Sequence, residues 1–422
     1  MRVAAFSKQS LEGFLRPAAL LALCGLVAMP LGAEPADRAD WPQFRGPHAD
    51  GRSDAKGLLR EWPAEGPKQL WRQPIGDGYS SVVVAGKRIF VTSADKETEY
   101  AVSLDADTGK ELWRQAIGPI FVQEEFGSGS RSSATWDGEL VYFISGRGQL
   151  FALKSADGSV AWKSDLLGAF GAGQPRFGYA ASAVVVDDLL VVDAGGSPGK
   201  GIVAFDKKKG EVKWSALDSK SAHYATPLLV EIGGVRQLVV VGREDPGIRS
   251  LGLDGKTLWS YQGQPQGLAS AVFVAPDKVF FSSANDGAGF LLRVKTEGGK
   301  QVVEEVWRNA VLKSHFHSAV LADGLLFGFD NATLKCVDAA TGTQKWAARG
   351  FGKGSVIEAD GLLFILSDDG RMALAEKTGE AFRQISSFQA LTGKTWTAPT
   401  VAAGRLYARD FDEIVAYDIQ AK

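Results

Sequence analysis

The run His315-Phe316-His317 is the clearest place in this sequence where residue type and spacing could do chemistry. On a β-strand, side chains two residues apart share a face. Two imidazoles placed this way can ligate a metal such as Zn²⁺ or Cu²⁺. His223 is the next candidate ligand, and the fourth histidine, His48, stands far upstream. No carboxylate lies at a fixed spacing from the pair, so a polar strand face is the simpler account and no metal site is assigned. Cys336 lies in the alternating run Leu334-Lys335-Cys336-Val337-Asp338 and reads as a small buried hydrophobe. Other signatures are missing. There is no Ser/His/Asp elbow, no P-loop and no GxGxxG before a helix; Gly127-Ser128-Gly129 and Gly195-Gly196 fall between strands, where they cannot cradle a phosphate. No catalytic residue is assigned.

The elements that must position these side chains are repeats. An apolar strand, an Asp/Gly turn and a strand carrying Trp recur, first as residues 102–113 (VSLDADTGKELW) and again as 152–162 (ALKSADGSVAW). Further copies end at Trp214, Trp259, Trp307 and Trp346; another ends at Phe382, and Trp71 supplies a Trp strand without a turn before it. Successive copies are 36 to 52 residues apart, the period of propeller blades. Two more short strands bounded by Gly and Asp precede each copy, such as Ser81–Val84 and Arg88–Val91, giving four strands per unit, A to D from the centre outward. No helical periodicity is found. The last unit, from Trp396 to Ile419, has A, B and C strands but no D, whereas Trp71 is a D strand without its A to C. The expectation is an all-β, eight-bladed β-propeller of four-stranded blades, closed by an N-terminal strand that completes the last blade and leaves no open sheet edge. Residues 68–419 then divide into eight units of 44. Trp71, Trp113, Trp162, Trp214, Trp259, Trp307 and Trp346 recur at one fixed place and are assigned to docking between blades rather than to ligand stacking.

Composition bounds the rest. Lys+Arg 47 against Asp+Glu 49 leaves no basic field to attract nucleic acid. Arg2, Lys8 and Arg16 precede an apolar run from Ala18 to Met29 that ends in Leu31-Gly32-Ala33, a secretory signal expected to be cleaved after Ala33. Leu23 precedes Cys24, where a lipoprotein signal needs a small residue, so lipidation is not expected. The domain reading is residues 1–33 signal peptide, 34–67 an N-terminal leader segment, and 68–422 the propeller. The mature chain would be a periplasmic or secreted monomer without a transmembrane span. Cys336 would be its only cysteine, so it would hold no internal disulfide.

The units of form ALxxxTGxxxW resemble the quinoprotein-type repeat, named after enzymes that bind pyrroloquinoline quinone (PQQ), over most of residues 68–419. Residues 41–47 (WPQFRGP) look like the leader of exported PQQ-like propellers. Two families share the repeat: the quinoprotein alcohol dehydrogenases and the outer-membrane assembly lipoprotein BamB with its relatives. The dehydrogenases carry a vicinal cysteine pair and a Ca²⁺ cluster beside a catalytic Asp. No cysteine pair exists here. Oxygen ligands for Ca²⁺ would have to come from Asp330, Asn331, Asn285, Asp286, Asp410 and Asp412, all in turns where Asp and Asn are expected anyway. The resemblance therefore implies an exported, non-catalytic scaffold that binds an envelope protein or a small ligand. A PQQ- and Ca²⁺-dependent dehydrogenase is the second reading.

In a propeller, the residues that open each A strand line a central funnel. Aligning the repeats on their A–B turns places Asp77, Tyr79, Arg131, Tyr179, His223, His315, His317, Lys353 and Trp396 there, as the expected ligand or partner surface. The two longest D–A connections, residues 116–130 and 165–178, carry Phe121, Glu124, Glu125 and Phe126, and Phe170, Gln174, Arg176 and Phe177. Loops of this length on a rigid scaffold are expected to extend that surface.

Overall fold

The computed structural model describes residues 40–421 except 243–246, 264–267 and 285–286. The expected signal peptide, the start of the leader, and Asn285 and Asp286 lie outside the described residues. Eight antiparallel sheets follow one another along the chain. The first is built from Val83–Ala85, Arg88–Ala94, Thr98–Asp105 and Glu111–Pro119, here strands A to D of blade 1. Blades 2 to 7 occupy residues 135–165, 184–216, 228–262, 272–309, 320–348 and 355–389. Blade 8 joins Thr400–Ala402, Arg405–Arg409 and Glu413–Asp418 to Gln69–Pro74, which pairs antiparallel along Glu413–Asp418. Most strands have both faces covered by neighbouring blades and are apolar on both, as in Leu140–Ile144. Among the described residues no helix is long and apolar enough to cross a membrane.

The Trp positions show how one blade grips the next. Each Trp sits on the D strand of one blade, and its indole Nε1–H donates to a carbonyl in the C–D turn of the following blade. The pairs are Trp71 to Ala106 (3.0 Å), Trp113 to Ser155 (3.0 Å), Trp162 to Lys207 (2.9 Å), Trp214 to Leu253 (2.8 Å), Trp307 to Ala339 (3.0 Å) and Trp346 to Thr378 (2.7 Å). The indole lies so close on the turn glycine that a Cβ at Gly109, Gly158, Gly210, Gly255 or Gly342 would stand 2.6–2.8 Å from ring carbons. All five glycines also have φ between 71° and 81°, so both the space and the backbone require glycine. On its other side the indole meets an aromatic of its own B strand, as with Trp113 on Phe90 and Trp346 on Phe327.

Two junctions depart from this pattern. The C–D hairpin of blade 5 has strands of ten residues, Ala288–Glu297 and Lys300–Asn309, which carry its turn outward beyond reach. Trp259 therefore donates within its own blade, to Gln237 Oε1 (2.7 Å). In blade 7 the D strand is Gln384–Gln389, and Ser386 holds the register position that Trp346 holds in blade 6. Phe382, expected to end that D strand, lies before it and packs on Trp346 and Phe351 instead. The vacant place is filled by Trp62 from the leader, wedged between Phe364 of the B strand and Phe388, with its backbone N–H donating to Ser386 Oγ (3.1 Å).

The leader packs along the ring. Trp41 makes a two-way bridge with Val84 of blade 1, and Pro42 O accepts from Trp136 N–H in blade 2. Arg45 donates to Ala319 O in blade 6, and Arg52–Ser53 pairs parallel with Ser355–Ala359 as a fifth strand of blade 7. Ser53 Oγ donates to Val401 O and Leu59 N–H to Ile419 O, both in blade 8. All but the Leu59 contact, which lies after the C strand of blade 8, are on the inner, A-strand side of the blades. The absence of helix expected from the sequence also needs one correction. Asp165 caps a five-residue helix, Leu166–Phe170, by accepting from Gly168 N–H, and Gly171 ends it at φ 66°.

These contacts give Trp62 the same structural weight as the repeat tryptophans. Trp62→Ala and Trp162→Ala should each cost about 3–5 kcal/mol, the range for large buried aromatics. Denaturant melts of the two variants check this; a Trp62→Ala protein as stable as wild type would show that the leader only lies on the surface.

Candidate functional site

The register of the A strands decides what faces the central channel. Two residues before each A strand, or at its start in blade 7, stands a hydroxyl or alanine: Ser81, Ser133, Ser182, Thr226, Ser270, Ser318, Ser355 and Ala398. Five consecutive backbone N–H groups donate around the ring to the next blade's hydroxyl: Ser81 to Ser133, Ser133 to Ser182, Ser182 to Thr226, Thr226 to Ser270 and Ser270 to Ser318, at 2.8–3.0 Å. This belt satisfies donors that would otherwise be orphaned where the strands begin. A further two residues upstream, on the same face by the period of two, come Tyr79, Arg131, Ala180, Tyr224, Leu268, Phe316, Lys353 and Trp396. All eight line one cavity of about 240 Å³, and Trp41, Phe44 and Arg45 of the leader line it as well.

Aromatic rings form a chain around this cavity. Phe316 meets Trp396 at 5.2 Å and Trp396 stacks on Tyr79 at 6.2 Å. Phe126 touches both Trp396 and Phe177, and Phe177 meets Tyr224 at 5.6 Å. Phe126 and Phe177 come from the two long loops, so these loops do reach the funnel. Phe121 and Phe170 from the same loops are buried, Phe170 against Phe205. The first loop is tied down by Glu99, a buried carboxylate that accepts from Phe121 N–H (2.9 Å) and Gly146 N–H (2.7 Å) and that burial pushes above its usual range.

Beside the hydroxyls of the belt, the cavity is lined by cations and imidazoles. The Arg131 guanidinium lies 5.0 Å over the Tyr79 ring and donates to Gly127 O and Gly129 O. Burial raises the Tyr79 phenol to about 12 against the pull of Arg131. Lys353 Nζ stands 3.4 Å from His315 Nδ1, and Lys394 Nζ lies 4.1 Å over Trp396. Burial first, and Lys353 second, lower His315. His317 is lowered further, to about 3, by burial and then by Arg45 and His315; its Nε2 is buried with no hydrogen-bond partner among the described residues. Arg45 itself spends its donors on Ala49 O, Asp50 O and Ala319 O. Among the described residues no carboxylate lines the cavity.

Of the nine expected funnel residues, Tyr79, Arg131, His315, His317, Lys353 and Trp396 line the cavity, and three do not. Tyr179 and His223 are one residue out of register, which turns a strand side chain to the opposite face. Tyr179 is buried among the apolar residues between blades 2 and 3, its hydroxyl donating to Ala194 O (2.9 Å). His223 is buried, its Nδ1 accepting from Ala225 N–H (3.2 Å). The cavity-facing neighbours are Ala180 and Tyr224. Asp77 lies between Gly76 and Gly78, both at positive φ, and is turned toward Arg409 and Asp412; burial and Asp412 raise its carboxyl. The leader residues Trp41, Phe44 and Arg45 carry no repeat signal, whereas the Ser/Thr belt, visible as a recurring hydroxyl, marks the correct register.

The donor set does not suit calcium. Ca²⁺ takes six to eight converging oxygens, and among the described residues no three His, Cys, Asp or Glu side chains are grouped to hold a metal. Asp330 is engaged by Lys335 (2.6 Å), Asn331 sits at φ 54° in a tight turn, and Asp410 accepts from the N–H groups of Asp412, Glu413 and Gly393. These are turn roles.

Comparison with known proteins places the chain. A family model described as outer membrane protein assembly factor BamB matches residues 97–348 and 330–421. The relative of that name from Yersinia pestis is 27% identical over 157 residues, 35% of this chain and 36% of the relative. Its counterpart from Salmonella typhimurium is 31% identical over 112 residues, 24% of this chain and 27% of the relative. The matched stretches thus span about a third or less of those relatives. Among solved structures, BamB from Moraxella catarrhalis aligns with a TM-score of 0.57 at 16% identity, over 84% of this chain and 98% of that one. Quinohemoprotein alcohol dehydrogenase from Comamonas testosteroni aligns at 0.65 and 13%, over 92% and 82%. At such identities both show the fold alone.

The neutral His317 makes stability depend on pH. Its folded value near 3 lies below the usual 6.5, so between these limits the unfolded chain binds a proton that the folded chain does not. Stability is then full above about pH 6.5 and falls with acidification, by up to ~1.4 kcal/mol per pH unit from this group. His317→Gln should melt with a visibly flatter pH dependence between pH 4 and 6.5; an unchanged slope would mean that His317 is protonated in the folded ring.

Proposed function

Because the chain belongs to the outer membrane protein assembly factor BamB family, we propose that it is an exported, non-catalytic propeller of the cell envelope that holds an envelope protein at the mouth of its central cavity. The observation that carries this reading is the mouth itself. Two loops, residues 116–130 and 165–178, stand over an aromatic collar on a rigid ring and present exposed Val122 and Arg176 beside it. Aromatic and Arg side chains supply most of the energy in protein contacts.

Among the described residues no Asp or Glu lines the cavity, and no three His, Cys, Asp or Glu side chains are grouped to hold a metal. The quinone-dependent alternative would need a cluster of oxygens for Ca²⁺ and a catalytic carboxylate, and the cavity residues offer neither. No redox step is derived for this chain.

Two measurements test the proposal. The mature chain should begin near Glu34 and fractionate with the periplasm; Met1 on soluble cytoplasmic protein would contradict export. A photo-crosslinker at position 122 or 176 should capture an outer-membrane assembly component in intact cells, whereas one at Lys256, on the outer rim, should not. Adducts from Lys256 alone would move the binding face to the blade edges.

A further inference from the structure

The charged side chains of the cavity are all cations. Lys353 forms no ion pair among the described residues; its ammonium has only His315 Nδ1 within 3.4 Å. When that nitrogen accepts from Lys353, the other ring nitrogen of His315 carries the hydrogen and is left to donate. Arg131 brings a second cation to the cavity, three blades around the ring from Lys353, held in place by two loop carbonyls and the Tyr79 face. His317 adds a buried ring nitrogen without a partner among the described residues. No Asp or Glu side chain among those residues lines the cavity; the buried Glu99 lies near enough to act on Arg131, which leaves Lys353 as the cation without an ion pair. An occupant that completes this wall must bring negative charge and acceptor oxygens.

The rest of the cavity specifies the body of that occupant. His315 is 5.1 Å from Phe316, and Phe316 is 5.2 Å from Trp396, so the cationic corner runs directly into the aromatic collar. Flat rings prefer to stack offset or edge-on against such walls. Size narrows the choice. An engineered cavity of about 150 Å³ takes one benzene molecule, and the volume here is about 240 Å³. One ring with a carboxylate fits. The leader closes one end with Trp41 and Phe44, so the occupant inserts ring and charge into a pocket rather than threading a pore.

We propose that the central cavity binds a single-ring aromatic carboxylate, with its carboxylate on Lys353 and His315 and its ring packed against the collar of Phe316 and Trp396. The inference rests on the same funnel face as the proposed function and adds a ligand class to it. The protein partner at the loops and the acid in the cavity are separate occupants, read by separate experiments.

The test uses the full mature chain and benzoate, followed by calorimetry and by tryptophan fluorescence. Benzoate should bind saturably at one site, more tightly than benzyl alcohol, which lacks the charge, and than inorganic phosphate, which lacks the ring. Lys353→Met should weaken benzoate by at least about tenfold and leave benzyl alcohol nearly unchanged. Trp396→Leu should weaken benzoate more than it weakens cyclohexanecarboxylate. If Lys353→Met fails to fold, nuclear Overhauser contacts from the benzoate ring to the Trp396 indole in the wild-type protein give the same answer. Absence of saturable binding at millimolar benzoate, binding equal to that of phosphate, or affinity indifferent to Lys353 would each overturn the proposal. None of these results bears on the crosslinks at positions 122 and 176, and a failure of those crosslinks leaves the benzoate titration to stand or fall by itself.

Discussion

A tryptophan indole laid flat on the glycine of the next blade's turn is the contact on which this ring depends. It combines a large apolar burial with one directed hydrogen bond, from Nε1–H to a turn carbonyl, and it tolerates no side chain beneath it. The same geometry recurs from Trp71 on Gly109 to Trp307 on Gly342. Each contact fixes the rotation of one blade against its neighbour. Fixed rotation in turn sets the A strands close enough for the Ser81-to-Ser318 hydroxyl belt to pass from blade to blade. The walls of the central cavity are the side chains just upstream of that belt, so the outer latches hold the inner site.

A ring of such contacts is only as good as its weakest junction, and two junctions lack the standard pair. At blade 5 the long hairpin removes the acceptor turn, and Gln237 takes the indole N–H within blade 4. At blade 7 the D strand has Ser386 where the indole should start, and the leader brings Trp62 to that place. The chain therefore closes the circle twice, with Gln69–Pro74 as the outer strand of blade 8 and with Trp62 in blade 7. Upstream of both, the leader crosses the inner side of blades 1, 2, 6, 7 and 8, and it lends Trp41, Phe44 and Arg45 to the cavity.

The fold was legible in the sequence because packing repeats. A latch that recurs at a fixed place leaves Trp and Gly at a period of about 44 residues, and the missing D strand of the last unit pairs with the isolated Trp71. The site was only half legible, because a funnel need not repeat. Tyr79, Arg131, Lys353 and Trp396 stand where the turn alignment puts them, but Tyr179 and His223 were favoured over Ala180 and Tyr224, one residue away. In a strand that single step exchanges channel for core, and the richer side chain was the buried one. The hydroxyl belt carried the missing register. Phe382 misled for a related reason: it follows a proper Lys-Thr-Gly-Glu turn, yet Trp62, more than three hundred residues away in sequence, fills the place. Nothing periodic announces such a contact.

Ring, leader and cavity are coupled. A charged, donor-rich pocket without a carboxylate is costly to leave half-satisfied, and it is kept in shape by a leader that must stay docked. Native-state hydrogen exchange on the mature chain tests that directly, by comparing the amides of Trp41, Leu59 and Glu358, which join leader to ring, with that of Val203 in the middle of blade 3. If the leader is part of the cooperative ring, all four should exchange through the same rare opening. If the Trp41 and Leu59 amides exchange orders of magnitude faster while Val203 stays protected, the leader is a surface strand, and neither the ring nor the cavity depends on its docking.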